Sequence, residues 1–239
     1  MFVLIHSPLT GLGTWRPVAD ALRARQIDVA MPHLVDDGSP PFWRQHVRCV
    51  VRGIAEDVEP GRPLVLAAHG AAGQLLGVLG PVLHDAGYEV AAEILADAGL
   101  PPGGRSRLEQ LDDESPEAAE EVRRLLDDGV GYPAWTDEQI APLIPDDDLR
   151  HRFLDELRRP PAAFWVEQIP TAVDWPDAPV GVVVFSSAYE PAVGAARDHD
   201  WPVRVLAGEN HLLPLADGER VAAEVLALAG ALVGDDTAR

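Results

Sequence analysis

Six short apolar runs, Phe2–His6, Asp28–Met31, Pro63–Ala68, Val90–Ala96, Val180–Ser186 and Val203–Leu206, alternate with stretches whose apolar residues recur at helical spacing. Runs apolar on both sides of the pleat have to be covered on both faces. The alternation therefore predicts an α/β fold, with about six mostly parallel strands flanked by helices. Between the first two runs, Thr14 is placed as an N-cap ahead of Trp15, Val18, Ala19 and Leu22, and Ser39-Pro40-Pro41 opens a helix carrying Trp43, Val47, Val50, Val51 and Ile54 on one face. Cys49 lies in that apolar stripe and reads as a core thiol. A chain of 239 residues, 47% hydrophobic, can bury a substantial core as one unit spanning 1–239, with a loose tail from about Gly234 to Arg239.

From about Pro101 to Pro176 the strands stop, and helices rich in acidic residues and arginine take over. Ser115-Pro116 is a helix start and Gly129 a stop. Thr136 with Gln139 forms a capping box, and Leu149, Phe153 and Leu157 make a stripe that ends before Pro160-Pro161. The segment reads as a helical cap inserted into the sheet domain. Its aromatics, Tyr132, Trp135, Phe164 and Trp165, either line a ligand pocket or dock the cap on the sheet.

The stretch Pro63-Leu-Val-Leu-Ala-Ala-His69-Gly70-Ala71-Ala-Gly73-Gln-Leu-Leu runs from an apolar strand through small residues into a helix. That is the construction of a nucleophile elbow, a turn tight enough to admit only small side chains around a central residue that projects above the sheet. The central position holds Gly70. Without a hydroxyl or thiol there, no acyl-enzyme can form, and the covalent route to ester or amide hydrolysis is closed.

With these features the whole chain resembles the α/β-hydrolase superfamily, lacking the first two strands of the full sheet. The first strand ends His6-Ser7-Pro8, similar to the family's H-G-x loop, with Trp15 at the usual distance. In that family the residue after H-G donates an oxyanion-hole N–H. Here it is Pro8, which has none, unless the register shifts by one and Leu9 donates instead; the Ala71 N–H remains. Ala207-Gly-Glu-Asn-His211, after the last strand, matches the family's late histidine, so the resemblance implies His211 as acid/base group. Two acids are candidates for its partner. Glu190 matches the usual position after the fifth strand and is favoured, while Asp97, after the fourth, matches a known alternative and is otherwise placed to line the pocket. Strand order is expected to reverse between the first and third strands, where His6, Ser7, Gly70 and Ala71 fall. His6 and His69 adjoin this site, with a structural role the favoured reading for each.

Within the superfamily, Ser7-Pro8-Leu9 with Trp15-Arg-Pro-Val-Ala19, Asp97-Ala-Gly-Leu-Pro101 and Trp201-Pro202 resemble hydrolase-like proteins of secondary metabolism, including the bottromycin epimerase group. That resemblance implies epimerisation of an aspartate α-carbon beside a thiazoline in a modified peptide, assisted by the substrate's own carboxylate. Two other readings stay open: a ligand-binding pseudoenzyme, and a hydrolase in which His211 activates water.

Composition narrows the partners. A net charge of −20, with arginine supplying all 19 basic residues, disfavours nucleic acid and anionic membrane surfaces. No apolar stretch approaches membrane-spanning length, and Met1–Ile5 reads as a strand rather than a signal segment, which together imply a cytoplasmic protein. No dinucleotide or phosphate-loop glycine pattern and no metal-ligand spacing is present, so the expectation is no cofactor, no metal, and a small-molecule or modified-peptide substrate bound by a monomer or homodimer.

Overall fold

The computed structural model describes residues 1–234; beyond Gly234, the expected tail lies outside the described residues. Six strands, β1 (Phe2–Ile5), β2 (Val29–Ala30), β3 (Leu64–Gly70), β4 (Val90–Ala98), β5 (Val180–Val184) and β6 (Val203–Val205), form a sheet in the order β2-β1-β3-β4-β5-β6. Every neighbouring pair is parallel. The chain steps from β1 to β2 on one side and then returns to place β3 on the other, so the order reverses between β1 and β3, as the sequence leads one to expect.

Alternation along each strand builds two cores. Val3, Ile5, Leu64, Leu66, Val182 and Val184 face the layer of α2 (Phe42–Asp57), α3 (Leu76–Asp85) and α9 (Glu190–Asp198). Phe2, Leu4, Val65, Ala67 and Val183 face the opposite layer of α1 (Arg16–Ala24) and α11 (Gly218–Val233). Cys49 is buried on α2, inside the first core. The insertion between β4 and β5 holds α4 (Arg107–Glu114), α5 (Pro116–Asp127), α6 (Asp137–Ile140), α7 (Asp147–Glu156) and α8 (Ala162–Val166). Its Thr136–Gln139 capping box is present, and so is a second, Ser106–Glu109. The short α10 (Leu213–Ala216) supplies Leu215 and the residue before it, Leu212, to a cluster with Ile140, Ile144 and Phe153 of the cap.

Two expected helix starts move. Thr14 is not an N-cap: it sits in a 3₁₀ turn, Leu12–Trp15, where its hydroxyl donates to Thr10 O, and α1 starts only at Arg16. α2 starts at Phe42, where the first amides are satisfied by a distant group. Phe42 N and Trp43 N both donate to the Glu167 carboxylate, at 2.7 and 3.0 Å, which ties the cap to the sheet domain.

Candidate functional site

The turn after β3 is built by what its residues lack. Gly70 has φ +57°, a left-handed conformation that disfavours a β-carbon. Three residues on, a β-carbon at Gly73 would stand 2.2 Å from Gly99 O, so the helix can approach the end of β4 this closely only with glycine there. The tight turn is thus an elbow in its backbone, with no side chain at its apex.

The space above Gly70 is occupied by an imidazole. A β-carbon placed on Gly70 would lie 3.2 Å from His211 Nε2 and 3.3 Å from its Cε1. The other ring nitrogen, Nδ1, is 2.7 Å from Asp97 Oδ2. Asp97 is fully buried, at φ +45°, and its carboxylate also accepts from Phe185 N, Ser186 N and the Ser186 hydroxyl at 3.0, 2.9 and 2.6 Å. Burial by itself raises the Asp97 pKa, but the hydrogen bonds from His211 and Ser186 and the attraction of His211 outweigh it and hold the carboxyl below its ordinary range. A charged carboxylate only accepts, so Nδ1 is the donor of this pair and Nε2 is the ring nitrogen turned toward Gly70.

His69 lies beneath. Its ring stacks on His211 with centroids 4.2 Å apart, and its Nε2 donates to His211 O at 3.0 Å. Complete burial holds its pKa well below the usual value, so it stays neutral and supports the loop that carries His211. His6 is likewise structural: Nδ1 donates to Ser7 O at 2.8 Å, Nε2 accepts from Leu34 N at 2.9 Å, and burial lowers its pKa to about 4.

The loop after β1 forms the opposite wall. Leu9 N, the alternative oxyanion donor, is 3.2 Å from Ser7 Oγ and donates to it. The cap fixes this loop, because Leu9 O accepts from Arg158 N and Gly13 N donates to Glu156. With Pro8 lacking an N–H and Leu9 N engaged by Ser7, the second donor of an oxyanion hole is gone.

A pocket of about 250 Å³ opens here between the strand ends and the cap. Ser7, Leu9, Ala71, Trp135, Trp165 and His211 line it, as do Thr10, Gln74, Arg107 and Tyr189. Among the described residues no group of three or more metal-ligating side chains occurs, and no helix is long and apolar enough to cross a membrane.

No family model matches the sequence, and no curated protein does. Solved structures do match. An extracellular α/β-hydrolase from a Paenibacillus species, described as sharing homology with tobacco salicylic acid binding protein 2, has a TM-score of 0.72 at 18% identity, over 95% of this chain and 98% of that one. The chain has the α/β-hydrolase fold. Two further α/β-hydrolase-fold neighbours are polyneuridine aldehyde esterase, at TM-score 0.69 and 14% identity over 95% and 98% of the two chains, and a tomato methylketone synthase I variant complexed with β-ketoheptanoate, at 0.70 and 11% over 97% and 98%.

On this α/β-hydrolase scaffold, one acid assignment is corrected. Glu190 does not reach His211: it is exposed at the start of α9, beside a separate groove with Arg197 and Glu209. After β5 the chain enters a 3₁₀ turn, Ser187–Tyr189, that brings the Tyr189 ring against His211, centroids 5.2 Å apart, and carries Glu190 past the site. Asp97, at the end of the adjacent strand, is the acid in contact. It sits behind His211 and does not line the pocket. Phe164 does not line it either: it is buried behind the pocket wall against Phe42. His6, Pro8, His69 and Gly70 stay outside the lining, with the His211 ring standing between Gly70 and the pocket. Arg107, Gln74 and Tyr189 were not legible as site residues, since nothing in their local sequence signals that the packing of the cap on the sheet domain brings the three to one pocket.

Proposed function

We propose that this chain is an enzyme that moves a proton at carbon without a covalent intermediate, an epimerase or isomerase on the α/β-hydrolase scaffold. The observation that carries the reading is His211, oriented by Asp97 with Nε2 turned toward Gly70, where the elbow offers no side chain for it to deprotonate. A base so placed can take a proton from a substrate carbon held in the pocket that His211 lines, and can return it to the opposite face once the planar intermediate has turned, or to a neighbouring atom. The Ala71 N–H is left to polarise the adjoining carbonyl. The match to a methylketone synthase complexed with a β-keto acid is consistent with this scaffold holding carbonyl compounds that bear an acidic C–H.

The specific reaction suggested by the sequence resemblance is epimerisation of an aspartate α-carbon beside a thiazoline in a modified peptide. A pocket of about 250 Å³ is smaller than the usual 300–1,000 Å³ ligand site, and would admit one side chain of such a peptide rather than its whole length. Incubation of that peptide in deuterated water, read by NMR and mass spectrometry, tests the assignment. Enzyme-dependent deuterium at the aspartate α-carbon with altered stereochemistry supports it; binding without uptake removes it and leaves a ligand-binding protein.

A further inference from the structure

The pocket wall contains an unusual surplus of unused hydrogen-bond donors. Arg107, the first residue of α4, lines the pocket yet is only 3% exposed. Its Nη1 donates to Phe164 O at 3.3 Å, and its guanidinium lies over the Phe164 ring at 3.9 Å, but Nε and Nη2 have no partner among the described residues. Glu167 is the carboxylate nearest its charge, 3.9 Å from Nη1, and both of its oxygens are committed to the amides that open α2. Trp165 Nε1, buried on the same wall, also lacks a partner, as does the Thr10 hydroxyl. Burial lowers the Arg107 pKa to about 9, so the group is still charged at neutral pH. A buried cation with a free fork of N–H groups is costly unless an anion completes it.

We propose that Arg107 is the carboxylate-binding subsite of this pocket, and that the ligand is a small organic acid whose anionic end is held by the Nε–Nη2 edge of Arg107, with Trp165 Nε1 as a third donor, once a rotation of these side chains turns the now enclosed donors to the pocket. A carboxylate matches the planar fork with two parallel hydrogen bonds. Leu9, Leu111, Tyr132, Trp135 and Tyr189 give the pocket an apolar and aromatic side that suits a hydrocarbon or aryl body, while Glu114, whose carboxyl pKa burial pushes up, also lines it. The charge is buried in a chain of net charge −20, so the preference belongs to this site and not to the overall field. The inference concerns binding alone and uses the same pocket as the proton-transfer reading, so either can fail without the other.

The test uses a homologous series of ω-phenylalkanoic acids, from phenylacetate to 5-phenylvalerate, and the matching primary amides, titrated against the wild-type chain by calorimetry. For the chain length that fits, the acid is expected to bind roughly 10- to 100-fold more tightly than its amide. Arg107→Met, which keeps the volume and removes the fork, reduces that ratio to near one while the amide's affinity is kept. Arg107→Lys retains charge without the fork and gives an intermediate ratio. Equal affinity of acid and amide for the wild type overturns the proposal, and so does the absence of binding by any acid in the series. A preference for acid that survives in Arg107→Met also overturns it. The acid–amide comparison on the unmodified protein holds even if a variant fails to fold.

Discussion

Gly70→Ser restores the missing hydroxyl in place and separates the two parts of the site. At φ +57°, a side chain costs about 1–2 kcal/mol. The new β-carbon would also stand 3.2–3.3 Å from the His211 ring and from Ser7 Cβ, tight but not prohibitive. A hydrogen bond from the new hydroxyl to His211 Nε2 offsets about 1 kcal/mol of this. The net loss of about 1 kcal/mol corresponds to a fall in Tm of roughly 2–4 °C for a chain of this size. With Asp97 behind His211, the introduced serine would have an oriented base, and a fluorophosphonate should phosphonylate it while leaving the wild type unmodified. Ester turnover should remain poor. With Pro8 in the loop and Leu9 N engaged by Ser7, one oxyanion donor is absent, which costs about 10²–10³ in rate. Intact-mass labelling and p-nitrophenyl acetate hydrolysis read the two steps separately. A stable, folded variant that resists the phosphonate would refute the placement of His211; turnover at about 10 s⁻¹, ordinary for an enzyme, would refute the account of the oxyanion loop.

Two other perturbations follow. Glu93, fully buried on β4, accepts one hydrogen bond, from Trp175 Nε1 at 2.9 Å, and burial, reinforced by Asp177, raises its pKa from 4.5 to about 8. The folded state therefore keeps its proton while the unfolded chain loses it, and stability should fall between about pH 4.5 and 8 by up to about 1.4 kcal/mol per pH unit. Glu93→Gln should flatten most of that slope in urea denaturation at pH 6 and 8, and an unchanged slope would show that Glu93 is charged in the fold. Asp97→Asn leaves the loop after β5 with a weaker acceptor and His211 without its anionic partner; activity should drop by about 10²-fold or more with the chain still folded, and unaffected activity would remove the Asp97–His211 pair from the mechanism.

All six strands, the position of the cap and the elbow were legible in the sequence, because each rests on local pattern. Apolar runs of strand length, Pro116 at a helix start, Gly129 at φ +70° beyond its end, and small residues around Gly70 all act over a few neighbours. His211 was legible by its place after β6. What was not legible depends on how distant segments pack. Glu190 comes after β5 and Asp97 near the end of β4, so both lie near the same rim in sequence terms, but a single 3₁₀ turn decides which one reaches His211. Arg107 is one arginine among many on acidic helices, and only the packing of α4 against α8, which lays it over Phe164, turns it into a buried cation at a pocket wall. Thr14 failed as a cap because the loop that the cap pins down continues as a 3₁₀ turn before α1 begins.

The central claim, that His211 moves a proton at a carbon held in its pocket, is tested most directly by comparing solvent deuterium uptake at the aspartate α-carbon of the thiazoline peptide for wild type and His211→Ala. Uptake by the wild type that falls about 100-fold or more in the variant, with peptide binding retained, is the predicted result. Uptake that persists in His211→Ala would assign the proton transfer to the substrate's own carboxylate, and a peptide bound without any uptake would contradict catalysis at this carbon altogether.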